Sequence, residues 1–169
     1  MDRADRLVIG FSLQTFILGK YAVTSSLIAL LRFVPDTIAR FIIAKEDLQK
    51  WKFIKNRYLI LLLIFGLVIS IISVSRFVVE RWLGPDWLIP MNVCLAIAIQ
   101  ELIRGAYVIL ANKNVKLGFS KNVNSTSIAL PILAVLLAQL FLGSLGLIAV
   151  PLGFCLAYGL SIMRLRVRR

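Results

Sequence analysis

Two sets of polar side chains interrupt stretches that are otherwise apolar. Arg32 and Asp36 stand four residues apart within residues 21–43. At 100° per residue, Tyr21 and Ser25 fall within about 20° of Arg32 and Asp36 within about 40°, so all four share one helix face. Within residues 89–111, Gln100, Arg104 and Tyr107 share a second face, with Glu101 at its edge. A guanidinium suits phosphate and carboxylate because its planar fork donates two parallel hydrogen bonds, and a carboxylate beside it is able to exchange protons. Two arrangements fit these residue types. In one, both faces line a hydrated cavity in which Arg32 and Arg104 attract an anion. In the other, the charges neutralise each other along each helix, Arg32 with Asp36 and Arg104 with Glu101, and pin a bundle. A variant of the second lets Arg32 bond backbone carbonyls loosened by Pro35.

The setting of these groups makes them informative. After Lys121 no charged residue occurs until Arg164. As a single helix, residues 122–163 would be ~60 Å long, about twice the ~30 Å hydrocarbon core of a bilayer. The stretch must fold back, and Gly143-Ser144-Leu145-Gly146 is the expected hairpin. The chain is 60% hydrophobic with mean hydropathy +0.90, above the ~45–50% apolar share of soluble domains. Spacing predicts one all-α transmembrane domain over 1–169, a polytopic helix bundle. Its expected spans are 21–43, 58–75, 89–111, 122–142 and 145–163. Residues 7–18 are too short to span and read as an interfacial helix or the tail of a truncated one. A charge at mid-bilayer costs at least ~2.5–3.5 kcal/mol, so Arg32, Asp36, Glu101 and Arg104 need a reason to be there.

The formal charge of +12 gathers in residues 40–57, 113–121 and 164–169. No basic face is interleaved with base-stacking aromatics, which argues against nucleic acid as a partner. The clusters read as topology signals that place the C-terminus in the cytoplasm and the N-terminus outside. The loop 45–57, with Trp51 and Phe53, suits the membrane interface, either touching anionic lipid or only setting topology. Residues 76–88 form a reentry loop with Trp82, Trp87 and the turn Leu83-Gly84-Pro85-Asp86. Cys94 and Cys155 lie in apolar segments and the chain has no His, so neither metal nor cofactor is expected. No nucleophile–base pair, glycine-rich phosphate loop or carboxylate cluster appears, and enzymatic activity is not expected. Ala149, Gly153, Ala157 and Ser161 form a small-residue stripe of the kind that lets helices approach closely in lipid.

Several short stretches carry a family resemblance. Asp5-Arg6-Leu7-Val8-Ile9-Gly10 and Leu18-Gly19-Lys20-Tyr21-Ala22-Val23 are followed by Trp82-Leu83-Gly84-Pro85-Asp86-Trp87, then Ala111-Asn112-Lys113, then Leu142-Gly143-Ser144-Leu145-Gly146-Leu147. In type, order and spacing they resemble stretches of bacterial polysaccharide and O-antigen flippases of the multidrug/oligosaccharidyl-lipid/polysaccharide exporter superfamily. The resemblance implies a MATE-like exporter architecture of two six-helix lobes around a cavity. The chain would match the C-terminal lobe only, its first helix truncated. It further implies a multi-pass protein of the bacterial inner membrane that moves a lipid-linked anionic oligosaccharide by alternating access, for polysaccharide or lipopolysaccharide biosynthesis. Its implied partners are membrane lipids and either the missing N-terminal lobe or a second copy. Two alternatives stand beside it: a non-transporting scaffold of a glycan-assembly complex, and a multidrug exporter fragment, which a cavity with exposed arginines disfavours. The resemblance supplies no substrate-contact motif, so the site candidates rest on depth.

Overall fold

The computed structural model describes residues 4–12, 15–44 and 57–167, and every regular element among them is helical. The helices are α1 (Ala4–Ser12), α2 (Thr15–Ile28), α3 (Phe33–Ala44), α4 (Arg57–Leu83), α5 (Met91–Lys116), α6 (Ser120–Leu145) and α7 (Ala149–Val167). Short 3₁₀ turns join α2 to α3 (Ala29–Arg32), precede α5 (Pro85–Trp87) and join α6 to α7 (Gly146–Ile148). The loop residues 45–56, with Trp51 and Phe53, lie outside the described residues.

Four stretches are long and apolar enough to cross a membrane: Thr15–Thr37, Leu63–Leu83, Met91–Lys116 and Val123–Arg166. The last, at 44 residues, is a helical hairpin rather than one rod. Its turn falls at Gly146, whose φ of +56° is a backbone conformation that side-chain-bearing residues rarely adopt. The hairpin therefore lies within the expected 143–146, although Gly143 itself still belongs to α6.

Burial explains how the helices are layered. Half of the α5 span is buried, against 17–28% for the others, so α5 is the central helix. Around it pack α3, α7, α2 and the 3₁₀ turn before α3. Two close approaches fix this packing. A Cβ at Gly105 of α5 would lie 2.7 Å from the Pro35 ring, and a Cβ at Gly153 of α7 would lie 2.6 Å from the Ala138 backbone nitrogen. The stripe Ala149, Gly153, Ala157 and Ser161 is buried throughout, and Gly153 lies against α6. Only contact without an intervening side chain lets two helix backbones come this near.

The outward faces are apolar as well. On α6, Ile128, Ile132, Leu136 and Leu140 recur every four residues, each at least 60% exposed. On α4, Leu63, Phe65, Val74 and Phe77 are each at least 60% exposed as well. An apolar surface of this extent is not left facing water, and the several apolar helices are those of a multi-pass membrane protein.

At one end of the bundle, aromatic and basic side chains collect. Phe16 meets Trp87 edge to face at 5.6 Å, and the Lys20 ammonium stands 4.2 Å over the Phe16 ring. Arg76 donates to the Ile89 carbonyl at 2.9 Å and ties α4 to the segment before α5. Trp82, Trp87 and Lys20 are residue types that suit a membrane–water interface.

Residues 7–18 are divided between two helices. α1 turns back along α2, since a Cβ at Gly10 would lie 3.4 Å from Leu18 and Arg6 reaches Ala22 and Ser26. This is an antiparallel pair rather than one short helix.

A charged cluster between the kinked helix and alpha five

Pro35 has no N–H to give the Leu31 carbonyl, and the backbone just before it tightens into the 3₁₀ turn Ala29–Arg32. The kink brings the Pro35 ring against Gly105 and Arg32 within reach of α5. The Arg32 fork then closes on Glu101: Nε donates to Oε2 at 2.6 Å and Nη2 donates to Oε1 at 2.7 Å. This is the bidentate geometry that only a guanidinium provides.

Arg104 joins from one turn further along α5. Its Nη1 is 4.0 Å from Glu101 Oε2 and 3.8 Å from Asp36 Oδ1. At these separations charges attract without a direct hydrogen bond. The four groups make a balanced set of two cations and two carboxylates. Exposure rises from Glu101 (2%) through Arg104 (16%) and Arg32 (25%) to Asp36 (39%), so the cluster is sealed at Glu101 and open at Asp36.

The structure therefore brings Arg32, Asp36, Glu101 and Arg104 together. The pairing runs between helices, with Arg32 bound to Glu101 and Arg104 facing Asp36. Of the along-helix pairs, Glu101 with Arg104 is present, as the longer of the two contacts to Glu101. The cause is the 3₁₀ turn, which departs from the 3.6-residue period assumed for a regular helix.

Tyr21, Ser25 and Gln100 are buried but make no ion-pair contact. The Ser25 hydroxyl donates to the Ala22 carbonyl of its own helix at 3.2 Å. The Tyr21 hydroxyl faces the Asp5 carboxylate, and the Gln100 carbonyl oxygen has no hydrogen-bond partner among the described residues. A buried polar atom such as the Gln100 oxygen favours water nearby, since it costs about 1–3 kcal/mol if left unsatisfied. Tyr107 turns away, its hydroxyl 3.1 Å from Ser127 Oγ and its ring 5.6 Å from that of Tyr158.

One cation outside the two expected sets also bonds within the bundle. Arg6 donates from Nη2 to Ser26 Oγ at 2.6 Å and to the Ala22 carbonyl at 3.5 Å. The signal was available: extending the apolar helix at 7–18 back by one turn includes Arg6. Among the described residues no group of three or more His, Cys, Asp or Glu side chains forms a metal site. Comparison with known protein families, with curated proteins and with solved structures gave no match to this chain.

Proposed function

We propose that this chain is the membrane-embedded component of a flippase-type exporter. Its cargo is a lipid-linked anionic oligosaccharide, moved by alternating access across the bacterial inner membrane for polysaccharide or lipopolysaccharide biosynthesis. The spans are then five, the C-terminus cytoplasmic, and the bundle one MATE-like lobe working against a second helical bundle. The observation that carries this reading is the cluster bridging the kinked helix and α5. Glu101 lies ten residues into α5, about 15 Å along the helix and close to mid-depth in a ~30 Å core. Ionised groups are kept at that depth for a purpose.

The geometry supplies a working cycle. Arg32 is the partly exposed end of the fork and Glu101 the sealed end. When an anionic headgroup takes the Arg32 fork, the Glu101 carboxylate is released and turns toward Arg104, already 4.0 Å away. The exchange leaves no carboxylate unpaired in the interior. It loosens the bridge between α5 and the kinked helix, the kind of change a rocking bundle needs.

A second reading is favoured by the charge balance itself. Two cations meeting two carboxylates suit a scaffold that holds glycan-assembly enzymes and moves nothing. The two readings separate on Arg32→Ala and Arg104→Ala. Under the transport reading, both variants insert normally in the membrane and lose export, measured as surface polysaccharide. Unchanged surface polysaccharide in both variants removes the transport reading. Co-purification with glycosyltransferases, unaffected by these substitutions, would favour the scaffold.

A further inference from the structure

A cavity of about 490 Å³ lies between α2 and α4, and none of the four cluster residues lines it. Its walls are apolar, formed by Val23, Leu27, Val78, Val79 and Trp82, while Arg6 and Ser26 supply its polar side. Within a bilayer, apolar walls alone give no preference for any occupant, because bulk lipid tails are equally apolar. Selection must come from the polar group, and here that group is a cation. The Arg6 guanidinium is held in place through Nη2 by Ser26 Oγ, and its Nε is buried with no hydrogen-bond partner among the described residues.

Depth identifies the ligand further. Lys20, Phe16 and Trp87 touch one another and are residue types that suit the headgroup level. Arg6 stands beside Ala22 and Ser26, two to six residues deeper along α2, or about 3–9 Å. A lipid phosphate is within reach of a long side chain at that level. Asp5, the neighbouring carboxylate, is placed within reach of Tyr21 as well as Arg6. Exposed Glu80 and Arg81 line a different hollow on α4.

We propose that this groove binds an anionic phospholipid of the surrounding leaflet, its phosphate on Arg6 and one acyl chain along the α2–α4 walls. The site requires only that the helices lie in lipid. It stands or falls separately from the transport reading.

The test is native mass spectrometry of the purified full chain in detergent, with phosphatidylglycerol or phosphatidylcholine added. The wild type is expected to retain phosphatidylglycerol in preference to phosphatidylcholine. Arg6→Gln should lower phosphatidylglycerol retention about fivefold, the worth of one Arg near an anionic surface, and abolish the preference. Val78→Trp fills the groove from α4 without touching Arg6 and should lower retention of both lipids. It also keeps the proposal testable if Arg6→Gln fails to fold. Excess inorganic phosphate should not displace the bound lipid. Equal phosphatidylglycerol retention by wild type and Arg6→Gln overturns the proposal. So does displacement of lipid by phosphate, or retention unchanged in Val78→Trp.

Discussion

Glu101 is the residue on which the charged cluster turns. Its carboxylate accepts both hydrogen bonds of the Arg32 fork and faces Arg104, and it is the most deeply buried of the four groups. Removing one partner of a buried pair leaves the other charge uncompensated, which costs about 3–5 kcal/mol. Glu101→Gln is therefore expected to lower stability by about that amount, read as thermal or denaturant unfolding in detergent. Combining Arg32→Glu with Glu101→Arg keeps a pair between the same helices. That double variant should regain much of the stability while export stays lost, because the cation has moved to the sealed end. Recovery of both would favour the scaffold. At this scale the sequence was a good guide to which residues matter, since an ionised group in an apolar run stands out by type alone. It was a poor guide to their partners. Pairing depends on a local 3₁₀ turn and on a contact between Pro35 and Gly105, 70 residues apart in the chain, and no periodicity encodes either. Arg6 shows the same limit: it stands one residue before the apolar stretch 7–18, but only the antiparallel return of α1 along α2 reveals its partners.

Among the elements, close helix packing holds the bundle where apolar burial gives no net preference for protein over lipid. The α6–α7 hairpin shows this most clearly. A Cβ at Gly153 would meet backbone atoms of Ala138 at 2.6 and 2.9 Å, and backbone cannot give way as a flexible side chain does. Gly153→Ala is expected to cost about 1–3 kcal/mol, as overpacking does in a tight core. Gly143 in the same hairpin has nothing within 4 Å of an added Cβ, so Gly143→Ala should be neutral or slightly stabilising. Equal losses in the two variants would mean that helix contact is not what holds the hairpin. The hairpin, the small-residue stripe and the Pro35 kink were all readable from the chain, because each is announced by residue type. The central place of α5 was not. A membrane helix is apolar on its lipid face and its protein face alike, so hydrophobic periodicity does not tell the two apart.

The molecule as a whole combines an apolar exterior with a charged interior line that opens at Asp36. The exterior was legible from hydropathy, and the position of the charges in an apolar segment was legible too. Their exposure came from the structure. It is also what divides the two functional readings, since a transporter needs water to reach the cluster and a scaffold does not. The most direct measurement is thiol labelling in a background carrying Cys94→Ala and Cys155→Ala. Asp36→Cys, at the open end, is compared with Leu136→Cys on the apolar outward face of α6, 62% exposed and expected to meet hydrocarbon. A charged, membrane-impermeant thiol reagent is expected to modify the first and spare the second. If Asp36→Cys resists the reagent as fully as Leu136→Cys, water does not reach the cluster and the transport account is contradicted.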